Sequence, residues 1–285
     1  MTGAAGFAGK WLCRHLVGQG HEVSGWLRVE TQDGVAGVRY RVQDVTDGAG
    51  CAVAMGEDRP DVVFHLAAVT NVGACEERPD VALAVNVEGT RNVFSCLPQS
   101  ARGVLISTCH VYANAGGEPL TEQHAVKPLG VYASSKHEAE KVALDVARDV
   151  VVIRAFHHTG PGQSEAYVLS DWAAQVRAGK AEVTVGDTSL RRDFSDVRDI
   201  VAGYTLLGAE GRSGQIYNLA SGQGHTLQTY FDWISEGSSC VAVPDAARLR
   251  VNDNRVVVGD PSKAERLGWT RSHSLKSTLA QMARG

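Results

Sequence analysis

The sequence lacks the closely spaced cysteines of a disulfide scaffold or a zinc knuckle. Only six cysteines occur in 285 residues, and no two of them form a CxxC pair. Small disulfide-stapled domains and structural zinc sites depend on such pairs. We therefore predict no disulfide framework and no bound metal, and we expect most of the thiols to be buried. The cysteines are Cys13, Cys51, Cys75, Cys96, Cys109 and Cys240.

The sequence also lacks an excess of charge of one sign and a long apolar run. The formal net charge is -4, with acidic and basic residues mixed along the chain, so there is no basic stripe for nucleic acid and no polybasic anchor for a membrane. Apolar runs such as Asp61–Thr70 have the length of a strand, and no charged-then-apolar leader opens the sequence. We expect a cytoplasmic protein that binds small soluble molecules.

What the sequence does contain is an alternation of short β-branched runs with longer segments at helical spacing. This alternation is typical of an α/β fold with a parallel sheet. After Arg154 the alternation of strands and helices becomes less regular, which indicates a smaller C-terminal lobe. Its short strands are predicted at Gly160–Gln163, Ala181–Asp187 and Cys240–Val243. The main strands are predicted at His21–Arg28, Val38–Val42, Asp61–Ala67, Gly103–Thr108, Val150–Arg154 and Gln215–Asn218. Helices are predicted at Phe7–Val17, Val81–Cys96, Val131–Arg148, Ala166–Arg177, Val197–Ala209 and Leu227–Ile234.

The sequence opens with TGAAGFAG, in which Gly3, Gly6 and Gly9 lead into an amphipathic helix. Glycine at this spacing lets the backbone turn tightly and approach a pyrophosphate at the helix N-terminus. The spacing alone also fits an ordinary helix start. A strand, HEVSGWLR, follows at βαβ distance, which favours a dinucleotide site in a Rossmann-type doubly wound sheet.

The end of that strand indicates which dinucleotide is bound. Leu27 and Arg28 stand where an acid would hold a free ribose 2′-hydroxyl, and an arginine there suits a 2′-phosphate. NADPH is therefore predicted, with NADH the less favoured cofactor. The alternative is that Arg28 is only a solvated charge at the end of a strand.

A buried strand normally precedes such a glycine turn, and here only Met1 and Thr2 do. In a doubly wound sheet that strand is central and buried on both faces. We expect the natural start to lie upstream of Met1. If the chain begins here, a degenerate nucleotide-binding protein with a regulatory role becomes the alternative to an enzyme.

The stretch VYASSK places Tyr132 and Lys136 four residues apart, on one face of a predicted helix. An ammonium in that position can lower the pKa of the phenol and hold a cofactor ribose, which makes Tyr132 a proton donor or acceptor. By itself the pair also fits an exposed helical turn. A buried strand that ends at Ser107 and Thr108 supports the catalytic interpretation, because a hydroxyl at the carboxyl end of a parallel strand faces the ligand crevice.

Together these motifs resemble extended short-chain dehydrogenases/reductases that act on nucleotide sugars. Asp44–Val45, HLAA (His65–Ala68) and NVEGT (Asn86–Thr90) belong to the same pattern. Three later segments resemble GDP-6-deoxy-4-keto-D-mannose reductases and GDP-mannose dehydratases: RAFHHTGPGQ (Arg154–Gln163), RRDFSDVRD (Arg191–Asp199) and VGDPSK (Val258–Lys263). The resemblance covers nearly the whole chain.

The resemblance implies roles for the matching residues. Thr108, Tyr132 and Lys136 would form the catalytic triad. The cofactor would be bound by Gly3, Gly6, Phe7, Ala8, Gly9, Arg28, Asp44, Val45, Leu66, Ala67, Ala68, Tyr132 and Lys136. The substrate would contact Thr70, His110, His157, Val168, Asp187, Arg192, Arg250 and Asp253, with the two arginines on the diphosphate. The cofactor-binding part would comprise residues 1–157 and about 190–222, and the sugar-nucleotide lobe about 158–189 and 223–285. A homodimer through the helices Val81–Cys96 and Val131–Arg148 is expected.

Departures from the family pattern narrow the expected activity. Cys109 and His110 stand where sugar-nucleotide dehydratases carry an acid, which argues against dehydration; His110 could replace that acid or simply pack there. An epimerase is also disfavoured, because epimerases usually keep NAD bound and carry an acid at the strand end where Arg28 stands. His157 and Asp187 stand where the family usually has Asn. These two changes leave open which nucleotide and which sugar the substrate contains.

The expected reaction is therefore an NADPH-dependent reduction of the 4-keto group of an NDP-4-keto-6-deoxyhexose. GDP-4-keto-6-deoxy-D-mannose is the favoured substrate, giving GDP-D-rhamnose or its C4 epimer. A dTDP-4-keto-6-deoxyhexose 4-reductase and an NDP-sugar epimerase are the alternatives.

Overall fold

The structure is a computed structural model that describes residues 1–113, 116–248 and 254–285. In chain order its strands are β1 (Val23–Leu27), β2 (Val38–Val42), β3 (Val62–His65), β4 (Arg102–Thr108), β5 (Val150–Ala155), β6 (His157–Thr159), β7 (Glu182–Val185), β8 (Arg191–Asp196), β9 (Ile216–Leu219), β10 (Gly224–Thr226), β11 (Val241–Pro244) and β12 (Val256–Val257). Its α-helices are α1 (Phe7–Gly18), α2 (Gly48–Asp58), α3 (Val72–Glu77), α4 (Pro79–Leu83), α5 (Gly89–Ser95), α6 (Gly130–Val146), α7 (Val168–Arg177), α8 (Val197–Glu210), α9 (Leu227–Ser235), α10 (Ser262–Glu265) and α11 (Leu275–Arg284). Among these residues, no helix combines the length and the apolar character needed to cross a membrane.

The central sheet is parallel, in the order β2, β1, Thr2, β3, β4, β5, β9. Thr2 forms parallel bridges to Trp26 of β1 and to His65 of β3. From Thr2 the chain adds strands first on one side and then on the other, so the sheet is doubly wound, as predicted. The strand order reverses at Thr2, and such a switch point is where open α/β sheets bind ligands.

Helices cover both faces of this sheet. Val104 and Ile153 pack with α1 and α8 on one face, whereas Leu105 and Val152 pack with α2, α5 and α6 on the other. Successive side chains of a strand point to opposite faces, and here both faces are buried. This explains why β5 begins with four consecutive apolar residues instead of an alternating pattern.

The smaller C-terminal part has its own pairing and its own core. β8 pairs with β6, β10 and β12, and β7 pairs with β11. Helices α7, α9 and α11 enclose an apolar cluster that includes Trp172, Tyr230 and Leu279. Phe194 of β8 joins this cluster, so β8 belongs by its pairing and packing to this part of the molecule.

Most predicted elements are confirmed with ends shifted by a few residues. The predicted helix Val81–Cys96 is divided into α4, a π-helical turn at Ala84–Glu88, and α5. Helix α2 was not predicted, because two of the first three residues of its sequence GAGCAVAMGED are glycines, which have poor helix propensity. It begins after Asp47, whose carboxylate accepts a hydrogen bond from the backbone N of Gly50 at 3.0 Å.

The strand predicted at Gly160–Gln163 is wrong. This segment is a turn in which the backbone N of Gln163 donates to the carbonyl of Gly160 at 3.2 Å. Gly162 has a φ of 85°, which a strand does not use. Trp11 of α1 donates its indole N–H to the carbonyl of Pro161 at 3.1 Å. The observed strand, β6, lies immediately before the turn.

The chain start lies between β1 and β3. The backbone N of Thr2 donates to the carbonyl of Phe64 at 3.0 Å, and Trp26 donates to the carbonyl of Met1 at 2.8 Å. Towards the amino ends of the two strands, a cavity of about 290 Å³ lies next to Met1 and is lined by residues such as Val23 and Val62. A natural start upstream of Met1 stays a prediction.

A buried ion pair holds α6 against the sheet. Nε and Nη2 of Arg154 donate to the two carboxylate oxygens of Glu140 at 3.0 and 2.7 Å, and Ser107 Oγ donates to the same carboxylate at 2.5 Å. Both charged residues are only 2% exposed. Burial opposes the charge of Arg154, but the hydrogen bonds and charge of Glu140 raise its pKa above the usual value. Because Ser107 and Arg154 lie near the carboxyl ends of β4 and β5, the pair fixes α6 at that edge.

Filling the cavity beside Met1 should stabilise the protein. We expect an N-terminal extension of about four β-branched residues to continue the strand between β1 and β3 and to raise the free energy of unfolding by about 2 kcal/mol, as burial of an apolar side chain does. Urea denaturation measures the change. A Gly/Ser extension of the same length is the control, and equal stability of the two extended proteins would contradict the prediction.

Removing the charge of Glu140 should destabilise the fold. In Glu140→Gln the buried guanidinium of Arg154 loses its counter-charge, and such a loss costs about 3 to 5 kcal/mol. The matched control is Glu138→Gln on the same helix, because Glu138 forms an exposed ion pair with Lys141, and exposed pairs contribute about 0 to 1 kcal/mol. Thermal denaturation followed by circular dichroism compares the two variants. Similar melting temperatures for both would refute the role of the buried pair.

Candidate active site

The glycine turn requires glycine at two positions. Gly3 has a φ of 67°, and a Cβ there would lie 2.8 Å from the backbone N of Ala67. A Cβ on Gly9 would lie 2.1 Å from the carbonyl oxygen of Gly3, so α1 packs directly against the turn. Gly6 precedes α1 and supplies no side-chain cap. The first N–H groups of the helix, at Phe7 and Ala8, are therefore suited to an anion.

Polar side chains connect the turn to the end of β3. Thr2 Oγ1 lies 2.8 Å from Nδ1 of His65 and accepts a hydrogen bond from the backbone N of Ala67 at 3.1 Å. The other ring nitrogen of His65 lies 3.1 Å from Thr90 Oγ1. Burial, and then the charge of Lys136, lower the pKa of His65 to about 3. A neutral imidazole therefore holds together the backbone at which the cofactor is predicted to lie, which includes Leu66 and Ala68 directly after β3.

Asn86 extends this network to α6. It lies 1% exposed in the π-helical turn; its Oδ1 accepts from the backbone N of Val69 at 2.7 Å, and its Nδ2 donates to Ser135 Oγ at 2.9 Å. Thr90 Oγ1 donates to the carbonyl of Asn86 at 2.6 Å. Sequence reasoning found the NVEGT motif but did not assign this positioning role, which depends on the π turn. Such turns are frequent at functional sites.

The predicted adenine-side residues follow the carboxyl ends of β1 and β2. Arg28 is exposed directly after β1, and Asp44 is exposed after β2. The carboxylate of Asp44 accepts hydrogen bonds from the backbone N and hydroxyl of Thr46 at 2.9 and 2.8 Å. Val45 is buried, and its carbonyl accepts from Asn92 Nδ2 at 2.9 Å. These residues therefore lie at the same edge of the sheet as the glycine turn.

The proposed triad lies next to this edge. Thr108 is the last residue of β4, and Tyr132 and Lys136 lie on the first turns of α6. Burial raises the pKa of Tyr132 above its usual value, although the hydroxyl of Thr108 lowers it. Burial lowers the pKa of Lys136 to about 8, while Glu140 raises it. The pKa of Tyr132 was predicted to be lowered by Lys136, but burial raises it and outweighs the opposite effect of the Thr108 hydroxyl, so the phenol keeps its proton at neutral pH.

Two histidines form a wall beside Tyr132. The ring of His110 meets that of Tyr132 edge-on with centroids 5.7 Å apart, and lies 5.5 Å from the ring of His157. His157 in turn lies 5.2 Å from Phe194. Burial, and then the neighbouring charge of His110, lower the pKa of His157 well below its ordinary value. The structure thus brings together His110 and His157, two of the positions at which the sequence departs from its family pattern.

The other predicted substrate residues include Arg192, which lies near His157, and Asp187, which lies near Arg192. Arg192 is 7% exposed in β8, and its charge acts on His157 and on Cys109. Hydrogen bonds from Ser189, and more weakly the charge of Arg192, lower the pKa of Asp187. Arg250 and Asp253 lie outside the described residues.

Tyr167 is a site residue that sequence reasoning missed. Its hydroxyl lies 3.1 Å from that of Thr70, and a negative charge on it would raise the pKa of Tyr132, which places it near the triad. Tyr167 directly precedes α7, whose first residue is Val168, and both side chains are about two-fifths exposed, at 41% and 39%. An aromatic residue in the first turn of the predicted helix Ala166–Arg177 was the signal available in the sequence.

Comparison with known proteins identifies the family of this chain. The model of the NAD dependent epimerase/dehydratase family matches residues 1–220. GDP-6-deoxy-D-mannose reductase from Pseudomonas aeruginosa is 30% identical, over 98% of this chain and 93% of its own length. The structure of RMD from Pseudomonas aeruginosa complexed with NADPH has a TM-score of 0.84 and 26% identity, covering 99% of this chain and 95% of that one. UDP-glucose 4-epimerase from Thermus thermophilus in complex with NAD has a TM-score of 0.88 and 26% identity, covering 99% and 96%.

The match extends over more than half of the chain and includes the glycine turn, the strand ends and the helix that carries Tyr132 and Lys136. It confirms the predicted resemblance to extended short-chain dehydrogenases/reductases. The chain belongs to the NAD dependent epimerase/dehydratase family.

Proposed function

We propose that this protein is an NADPH-dependent reductase of the 4-keto group of GDP-4-keto-6-deoxy-D-mannose, with GDP-D-rhamnose or its C4 epimer as product. The observation that carries the proposal is the triad of Thr108, Tyr132 and Lys136 at the carboxyl edge of the sheet, next to Cys109 and His110 instead of an acid. Similarity to the GDP-6-deoxy-D-mannose reductase supports the choice of substrate. A homodimer stays a prediction.

The residues at the glycine turn fit a dinucleotide. The left-handed Gly3 and the uncapped start of α1 leave backbone N–H groups for a pyrophosphate. Arg28 lies at the end of β1, where its guanidinium would meet a 2′-phosphate. When bound, NADPH supplies the hydride of the reaction.

Residues of this chain would supply the proton and orient the substrate carbonyl and the cofactor. The ordinary pKa of a phenol is about 10 and burial raises that of Tyr132 further, so Tyr132 is protonated at neutral pH and can donate a proton to the oxygen of a reduced carbonyl. Thr108 would donate a hydrogen bond to the same oxygen and stabilise its developing charge. Lys136 would hold the cofactor ribose and favour the tyrosinate that remains after proton transfer. Thr108 and Lys136 are buried and Tyr132 is half-buried, which limits the access of water to the reacting atoms.

The first test is the substrate. Purified protein is mixed with GDP-4-keto-6-deoxymannose or the dTDP-4-keto-6-deoxyglucose counterpart, and NADPH oxidation is followed by absorbance with NADH as the comparison. Oxidation with the GDP sugar supports the proposal, and NMR of the product assigns C4. Oxidation with the dTDP sugar alone would show that the substrate is the dTDP-linked sugar and not the GDP-linked one. Interconversion of a sugar nucleotide without net oxidation of NADPH would identify an epimerase.

Tyr132→Phe should abolish proton donation. We expect kcat to fall by about 10²- to 10⁴-fold, the usual contribution of a positioned general acid, while NADPH binding measured by fluorescence is retained. Tyr217→Phe is the matched control, because it likewise removes a phenolic hydroxyl, but in β9 away from the triad. The Tyr217 hydroxyl accepts a hydrogen bond from the backbone N of Arg212 at 2.9 Å. Full activity in Tyr132→Phe would refute the mechanism.

Arg28→Ala should weaken the preference for NADPH. Loss of a charged hydrogen bond costs about 1.5 to 3 kcal/mol, so we expect KM for NADPH to rise by about 10- to 150-fold while KM for NADH stays unchanged. Arg39→Ala is the control, because Arg39 is an exposed arginine of β2 that lines the cavity at the amino end of the sheet. An unchanged ratio of the two KM values in Arg28→Ala would show that Arg28 is only a solvated charge.

A further inference from the structure

We propose that Cys109, His110 and His157 form a binding site for one Zn²⁺ ion, and that the bound ion inhibits the enzyme by occupying its sugar pocket. The thiol sulfur and one ring nitrogen from each histidine all lie within 4.8 Å of one another. Ligands of one tetrahedral zinc ion are separated by about 3 to 4 Å, given bonds of about 2.0 to 2.3 Å. Small side-chain rotations therefore suffice to bring the three atoms around a single ion.

The three ligands are supplied by two neighbouring elements of the fold. Cys109 and His110 lie in the short 3-10 turn that follows β4, and His157 is the first residue of β6. Cys109 is 4% exposed, whereas His110 is exposed, so an ion can reach the site from the open side. A strand thus holds His157, the turn directly after β4 holds the buried Cys109, and the solvent-facing His110 completes the set.

The chemistry of the donors favours zinc. One thiolate with two imidazoles is a borderline-soft set of three ligands, which leaves the fourth tetrahedral position for water. Nδ1 of His157 is buried and, within the described residues, has no hydrogen-bond partner. A buried polar atom without a partner is costly, and coordination or reorientation of this ring towards an ion offers it one.

Two residues of opposite charge, Asp193 and Arg192, lie near the proposed ligands. Asp193 and Arg192 both act on the Cys109 thiol, with opposite effects on its pKa, after burial has raised that pKa to about 12. The carboxylate of Asp193 is fully buried and accepts hydrogen bonds from the backbone N of Ser221 and Gly222 at 2.7 and 2.9 Å. On binding, the thiol releases its proton to solvent as the S–Zn bond forms.

An ion in this position would interfere with catalysis. The ring of His110 contacts that of Tyr132 edge-on, so zinc on His110 lies beside the phenol that is proposed to donate the proton. Inhibition rests on the proposed function, but binding of the ion does not. The two statements therefore need separate measurements.

Binding is measured with Co²⁺ as a spectroscopic substitute, added to untagged protein that has first been treated with chelator and dialysed. We expect visible bands of tetrahedral Co²⁺ and a near-ultraviolet thiolate-to-cobalt band, both reversed by Zn²⁺. Cys109→Ser should remove the thiolate band, and His157→Asn should weaken binding by about 100-fold or more. Cys96→Ser and His21→Asn, remote from the site, are the controls, and NADPH fluorescence verifies that each variant is folded.

Inhibition is measured on NADPH oxidation with and without Zn²⁺, and a chelator should restore the rate. Cobalt bands that persist in both Cys109→Ser and His157→Asn, or that lack the thiolate band in the unmodified protein, would overturn the site. Cobalt bands with the expected variant pattern but undiminished oxidation would overturn only the inhibitory role. If no sugar supports oxidation, the proposed function fails, while the spectrum still decides whether the metal site exists.

Discussion

The ion pair between Glu140 and Arg154 is the contact on which the arrangement of the site depends. It joins α6 to the carboxyl ends of β4 and β5, one turn after Lys136 and beside Thr108. A buried pair of this kind contributes little net stability compared with apolar packing, because both charges must be desolvated. What it contributes is position, since neither charge can leave its partner without a large cost. The helix that carries Tyr132 is thereby held at one register against the strand that carries Thr108.

The same helix is held from its other side by a chain of neutral hydrogen bonds. This chain runs from Thr2 through His65 and Thr90 to Asn86, and from Asn86 to Ser135. It therefore connects the glycine turn to the catalytic helix through the interior. Because His65 is kept neutral by burial, the network does not change its protonation over the pH range in which the enzyme would work. The proposed cofactor site and the proposed proton donor are in this way connected by one continuous set of buried contacts.

Most of the departures from the family pattern that the sequence analysis identifies lie on the proposed substrate side of the site. A dehydratase needs an acid close to the triad, and here the corresponding positions form a cluster of one thiol and two imidazoles next to Tyr132. The cluster is in contact with Phe194 of the smaller part, so the two parts of the fold meet at the pocket through the residues that differ. The phenol itself keeps its proton, which suits donation to a reduced carbonyl better than abstraction of a proton from a sugar.

Local sequence was sufficient for those features whose cause is local. Glycine spacing identified the turn because only glycine tolerates the φ of Gly3 and the close approach at Gly9. Runs of consecutive apolar residues, such as the first four of β5, identified strands because both faces of that sheet are buried. The spacing of Tyr132 and Lys136 likewise follows from the helical period. The tertiary structure alone decided that burial raises the pKa of Tyr132, that His110 meets His157, and that Asn86 connects to Ser135. Each of these depends on residues distant in the sequence, and desolvation is a property of the packed environment that no local pattern contains.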